Sequence, residues 1–156
     1  MRPSSDPPAR YLFLDEVDAY PPSADEEGDP VALAEARTRT FSWRAKAFLA
    51  STPTIQGMSR IEREYEASDR RRYLVPCPHC GEYFVPRFNL MRYPAKASPM
   101  AAARETYLEC PHCGGIIEDG YKAAMNERGR YVAPGQTIDS NGQGSGDPPD
   151  TMSGSY

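Results

Sequence analysis

Asp15 and Glu16 close an unbroken apolar run, Tyr11-Leu12-Phe13-Leu14, and lead into Val17 and Asp18. An acid pair at the end of such a run can do two jobs in nucleotide hydrolysis. One carboxylate, here Asp15, holds a magnesium ion through a water; its neighbour, Glu16, orients and polarises the attacking water. The same string also describes a core strand that leaves through a solvated acidic turn. Further along, Ser51-Thr52-Pro53-Thr54 ends a second apolar stretch. Beside such acids, the hydroxyls of Ser51, Thr52 and Thr54 can hydrogen-bond a terminal phosphate or the attacking water, so that hydrolysis registers as a lost hydrogen bond. Taken alone, that string is equally a turn capping a strand. The third group is a repeat: Cys77-Pro78-His79-Cys80-Gly81 recurs as Cys110-Pro111-His112-Cys113-Gly114. Each Cys-x-x-Cys knuckle presents two thiolates to one metal, and four thiolates fill a tetrahedron with no position left for water. A structural zinc ion is the expectation, ahead of a redox dithiol or an iron site. The gap between the knuckles is longer than the usual spacing. His79 and His112 lie inside the knuckles, where a side chain points away from the metal.

The elements that must position these groups follow from pattern. Four consecutive apolar residues before Asp15 read as a strand buried on both faces of a parallel sheet, with the acids at the edge where open α/β sheets bind ligands. This is the pattern of a Walker B strand. A Pro-rich acidic loop over residues 20–28 follows. Asp29-Pro30 then gives a helix entry, Asp as N-cap and Pro at the first helical position, and the helix runs to about residue 39 or 41. Its Arg37 and Arg39 can reach phosphate or simply face solvent. Residues 43–50 form a second buried strand ending in the hydroxyl motif. Ser59, with Glu62 three positions on, opens a helix over about 60–68 as a capping box, with Ile61 and Tyr65 on its buried side. Arg70, Arg71 and Arg72 then either face a nucleic-acid backbone or complement the helix dipole. Tyr73-Leu74-Val75, Tyr83-Phe84-Val85, Tyr107-Leu108 and Ile116-Ile117 supply short strands around the knuckles, and residues 94–103 form the tip of a long insertion. Residues 121–127 read as a short helix stopped at Gly129. The organisation expected is an extended lead-in over 1–9, a nucleotide-binding half over 10–72, a zinc ribbon over 73–133 and a disordered tail over 134–156.

Composition bounds the function. With 156 residues and 39% apolar content the chain has room for one ordinary domain or two small units, though 16 Pro and 12 Gly are many for a compact globule. The net charge of −4 is mild and uneven, since residues 60–92 carry seven arginines against five acids. The first residues lead into no apolar signal core, and no apolar run is long enough to span a bilayer. A cytoplasmic protein without membrane contact is expected, where paired cysteines mean metal more often than disulfide. A phosphate loop of the form Gly-x-x-x-x-Gly-Lys-Ser/Thr is absent from the sequence. If Asp15 and Glu16 are Walker B acids, their phosphate cradle lies upstream, and the chain is expected to be a fragment.

Taken in order, Asp15-Glu16-Val17-Asp18-Ala19-Tyr20-Pro21, Ser51-Thr52-Pro53-Thr54 and Tyr73-Leu74-Val75-Pro76-Cys77-Pro78-His79-Cys80-Gly81 resemble the large terminase subunit of tailed phages, of the GpA type, across roughly residues 10–132. The resemblance implies an α/β fold: part of a RecA-like P-loop NTPase sheet, then a small zinc-ribbon β unit. It implies an ATPase motor that pumps double-stranded viral DNA into a capsid, with an endonuclease further along the chain. It also implies a small terminase subunit, a portal or procapsid and an oligomeric motor as partners. On that resemblance Asp15 and Glu16 match the Walker B acids, Ser51, Thr52, Pro53 and Thr54 the coupling motif, and Cys77, Cys80, Cys110 and Cys113 the zinc segment. ATP and Mg2+ would be bound only together with the missing upstream half, so the chain alone is expected to be inactive. Two other classes fit parts of the pattern. Asp-Glu-Val-Asp followed by Ser-Thr-Pro-Thr also resembles superfamily 2 helicases, and the knuckles alone describe a zinc-ribbon module that binds nucleic acid or protein without catalysis.

Overall fold

The computed structural model describes residues 7–24 and 27–155, so most of the expected lead-in and part of the acidic loop lie outside the described residues. The chain divides into two units between Glu66 and Ala67.

In the first unit, strand β1 (Tyr11–Leu14) pairs in parallel with β2 (Lys46–Leu49), Tyr11 opposite Lys46 and Leu14 opposite Leu49. Helix α1 (Pro30–Ala36) begins where Asp29 Oδ1 accepts the Val31 N–H at 3.1 Å, with Pro30 at the first position, where its missing N–H costs nothing. The helix is shorter than its sequence pattern suggests, and residues 39–44 continue as 3-10 turns. Leu14, Val17 and Val31 form the buried core, and Leu12, Ala34, Leu49 and Ile61 pack against it. Helix α2 (Arg60–Ala67) closes the unit. Ser59 Oγ caps it by accepting the Glu62 N–H at 3.1 Å, but the Glu62 carboxylate turns to the Gly57 N–H at 2.7 Å, so the expected reciprocal box is only half made. Ile61 joins the core as expected, whereas Tyr65 is 36% exposed.

The strands are not buried on both faces. Tyr11 is 54% exposed, Phe13 76% and Phe48 52%, while Leu14 is buried. The continuous apolar run therefore behaves as an alternating strand: Leu12 and Leu14 turn to the core, and the other two residues face out. Among the described residues this sheet has only these two strands, and its covering helix lies on one side. Phe13 and Phe48, opposite each other in register, cover one another in part with ring centroids 6.1 Å apart.

In the second unit, β3 (Arg72–Pro76) lies between β4 (Tyr83–Phe84) and β8 (Arg130–Val132), all antiparallel. A second antiparallel sheet runs β5 (Met91–Arg92), β6 (Tyr107–Glu109), β7 (Ile116–Ile117). The insertion tip folds as α3 (Pro99–Glu105), capped by Ser98 Oγ on the Ala101 N–H. Helix α4 (Lys122–Glu127) contributes Met125 to a core of Val75, Cys77, Phe84, Cys110 and Ile117. Two of the four cysteines are thus core residues of a unit with few large apolar side chains.

The tail differs from expectation. β9 (Thr137–Ile138) and β10 (Gly144–Ser145) pair as an antiparallel hairpin. Its turn is held by Asp139 Oδ1, which accepts the N–H groups of Asn141 and Gln143, and by Gly142 at φ 83°, a conformation glycine adopts without strain. Beyond it, the Ser155 N–H and hydroxyl donate to the buried Asp69 at 2.8 and 2.9 Å, and the Asp69 N–H donates to the Ser153 carbonyl. Low apolar content there is offset by local turn chemistry and by one buried carboxylate that needs donors. Among the described residues no helix is long and apolar enough to cross a membrane.

Candidate functional site

At the carboxyl end of β1 the backbone leaves the strand abruptly. Glu16 stands at φ 54°, ψ 42°, the left-handed region that a side-chain-bearing residue enters at a cost, and its N–H bonds Asp15 Oδ1 at 3.0 Å. Both acids are exposed. Val17 then turns fully inward and pins the bend to the core. The turn is laced to the end of β2: Ala50 N–H donates to Leu14 O at 2.9 Å, Val17 N–H to Ala50 O at 3.2 Å, and Asp18 N–H to Ser51 Oγ at 3.1 Å. Asp15 and Glu16 on one strand and Ser51, Thr52 and Thr54 beyond the other therefore emerge side by side at one sheet edge. Thr52 and Thr54 are exposed there, and Ser51 is half-buried.

Asp18 was not among the expected site residues, yet it holds this edge together. Its Oδ2 accepts both the N–H and the hydroxyl of Thr54 at 3.1 Å, and its Oδ1 accepts the Ile61 N–H at 2.8 Å. The Ile61 N–H, aided by the Ser59 hydroxyl and the Thr54 donors, outweighs desolvation and lowers the Asp18 carboxyl to about 2. Arg60 adds a second tie, donating from Nη1 to Val17 O at 2.7 Å and from Nη2 to Asp29 Oδ1 at 2.9 Å. The one sequence sign of Asp18 is its place as the last acid of Asp-Glu-Val-Asp. Its partners lie 36 and 43 positions away, beyond any local pattern.

In the second unit the knuckles superpose chemically. Gly81 N–H bonds Cys77 O at 3.0 Å and Gly114 N–H bonds Cys110 O at 2.9 Å, with the glycines at φ 80° and 68°. The N–H groups of His79 and His112 each point at the first sulfur of their knuckle at 3.4 Å. Such N–H···S bonds stabilise thiolate over thiol. The four Sγ atoms lie within 4.8 Å of one another, with Cys77 to Cys113 at 3.8 Å and Cys80 to Cys110 at 3.9 Å. Tetrahedral metal–thiolate bonds of about 2.3 Å require sulfurs about 3.8 Å apart, so the cluster fits a metal ion. Burial pushes the Cys77 thiol up, while the N–H groups of Cys113 and His112 overcome burial to bring Cys110 down to about 7. His79 is turned away from the sulfurs: its Nε2 meets Ile116 O at 2.7 Å, linking the first knuckle to β7 behind the second. An apolar cavity of about 470 Å³, lined by Val75, Phe88, Met91, Leu108, Ile117 and Met125 among others, opens beside this core and takes in none of the expected site residues.

These features define a class: a mixed α/β chain with parallel and antiparallel sheets, an acid–hydroxyl edge at the ends of adjacent parallel strands, and a four-cysteine cluster that can hold a metal. Residues 2–131 match the family model of the phage terminase large subunit gpA, ATPase domain, and the chain belongs to that family. It is 31% identical over 128 residues to the terminase large subunit of Enterobacteria phage P21, covering 78% of this chain and 19% of that protein. It is 33% identical over 106 residues to the terminase large subunit of Escherichia phage lambda, covering 66% of this chain and 16% of that protein. The chain thus spans less than a fifth of the length of these relatives. No solved structure matches it significantly.

Proposed function

We propose that residues 10–72 are the second half of a RecA-like ATPase core and that residues 73–133 are a zinc ribbon attached to it. Together they would serve a motor that packages double-stranded viral DNA. The observation that carries this reading is the parallel pairing of β1 with β2, which delivers Asp15, Glu16, Ser51, Thr52 and Thr54 to one edge. In this reading Asp15 holds Mg2+ through a water; its hard, exposed carboxylate oxygens suit that ion. Glu16, exposed at the left-handed turn that ends the strand, orients the attacking water. Ser51, Thr52 and Thr54 sense the terminal phosphate. Bound Mg2+ would neutralise charge developing on the phosphate oxygens.

Cys77, Cys80, Cys110 and Cys113 would hold a structural Zn2+, which supplies folding energy rather than a reactive water. The family match supports a terminase motor over a helicase or a zinc-binding module alone. Endonuclease activity, a small terminase subunit, a portal and a ring of subunits belong to the same proposal through the family.

The test uses a longer polypeptide in which this chain is joined to the phosphate-loop segment of a related terminase large subunit. Duplex DNA should stimulate its ATP hydrolysis, and Thr52→Ala should leave hydrolysis while slowing DNA translocation. Equal loss of both activities would remove Thr52 from a coupling role, and no hydrolysis from the joined wild-type chain would contradict the ATPase reading.

A further inference from the structure

We propose that Asp18 is the positioning residue that locks the hydroxyl segment 51–54 to the start of helix α2, so that a displacement of Thr54 is passed to α2 through one carboxylate. The inference rests on the nucleotide-edge reading above and adds to it the route by which that edge is coupled to the rest of the chain.

The geometry is specific. A carboxylate has two oxygens, and here they are divided between two segments. Oδ2 takes both donors of Thr54, and Oδ1 takes the Ile61 N–H in the first turn of α2. The Ser59 hydroxyl, which also caps α2, adds a further donor. The Asp18 N–H is held in turn by Ser51 Oγ, so the residue is fixed from both its backbone and its side chain. A negative charge at a helix start is favourable in itself. What sets Asp18 apart is that the same group also fixes Thr54, whose ordered position depends on that carboxylate. Arg60 ties the α2 start separately to Val17 O and Asp29, so the Asp18 bonds are the route that links it to Thr54. Helix α2 is also the element through which the chain passes from the first unit to the second. Because one planar carboxylate serves both segments, losing a Thr54 donor frees it to rotate, and the Ile61 N–H bond loses its geometry with it.

The test uses the chain itself, labelled with 15N, and reads amide exchange along residues 60–67. Thr54→Val removes the hydroxyl donor without touching α2. Exchange at Ile61 should then speed up by about fivefold, the effect of weakening one hydrogen bond by about 1 kcal/mol. In an Asp18→Asn background the same Thr54→Val change should add nothing at Ile61. An equal effect of Thr54→Val with and without Asp18 would overturn the proposal, as would no effect in the native background. If Asp18→Asn does not fold, Thr54→Val and Ser59→Ala, both of which leave the carboxylate in place, replace it: non-additive effects at Ile61 are expected, and additive ones overturn the coupling.

A functional readout separates this inference from the one beneath it. In the longer polypeptide with a phosphate loop, Asp18→Asn should lower kcat by roughly 10²-fold by loosening the whole edge, including the turn that carries Glu16 two residues before it, with KM for ATP little changed. A proportional rise in KM, or an unchanged kcat, would count against positioning. If the exchange coupling holds while the joined protein hydrolyses no ATP, the motor reading fails and the Asp18 link stands. If hydrolysis is normal but the coupling is absent, the reverse holds.

Discussion

A carboxylate that accepts four donors is worth more ionised than protonated, and Asp18 is such a group. Its pKa in the folded chain lies near 2 against an ordinary 3.8. The sign follows from the depressed value: the contribution is fully present above about pH 4 and is lost as pH falls toward 2. Amide exchange at Ile61 and Thr54, corrected for intrinsic rates, should accelerate together across that window, and Asp18→Asn should show no such step. Exchange that stays flat from pH 5 to pH 2 would mean that the carboxylate does not hold these two amides. The cysteines make a residue-scale statement of a different kind. Four sulfurs held 3.8 to 3.9 Å apart across the pairs are spaced for a common ion. We expect about one zinc per chain, and its binding to contribute on the order of 10 kcal/mol to folding the second unit. Cys80→Ser should lose the metal, as read by elemental analysis, and with it the dispersion of the amide signals of β3, β4 and β7. A metal-free chain with unchanged signals would exclude a structural ion. These residue types were legible in the sequence because knuckles and acid pairs are local patterns. Asp18 was legible only as one more acid, since its role depends on three segments meeting.

Among the elements, α1 shows how far local rules reach. Asp29 and Pro30 mark its start in the sequence and mark it in the structure, and the Asp29 side chain has the added job of receiving Arg60. Asp29→Ala should therefore destabilise the first unit by about 1 kcal/mol or somewhat more, measured by urea unfolding. A change within error would show the cap to be redundant. Strands β1 and β2 show where local rules stop. Tyr11-Leu12-Phe13-Leu14 reads as doubly buried, yet burial is a property of what covers each face. In the described residues only the Leu12 and Leu14 side is covered. The hairpin of β9 and β10 went unread for the opposite reason: Asp139 and Gly142 carry a turn signal inside a stretch whose composition suggests no structure. The knuckle loops leave little freedom. A Cβ on Gly115 would stand 2.7 Å from His79 Cδ2 and 3.2 Å from Cys113 Sγ. Gly115→Ala should thus weaken metal affinity by disturbing both knuckles at once, which a competitive chelator titration would register; native affinity would show that His79 can move aside freely.

At the scale of the molecule, two units divide the labour by chemistry. The first has a small aliphatic core and brings hard oxygen donors to a sheet edge; the second replaces much of its core with sulfur. The order of motifs along the chain was readable from the sequence, and membership of the gpA terminase family agrees with it across residues 2–131. The exposure of Phe13 and Phe48, and the return of Ser155 to Asp69, depend on long-range packing that no window of sequence contains. Everything proposed for the first unit depends on the two parallel strands delivering a working acid pair to a nucleotide. That delivery is tested most directly by single-turnover ATP hydrolysis in the polypeptide that joins this chain to an upstream phosphate loop, comparing wild type with Glu16→Gln. ATP binding should be unchanged and hydrolysis slower by roughly 10²–10⁴-fold, the usual share of a general base. Hydrolysis at the wild-type rate in Glu16→Gln would contradict this reading.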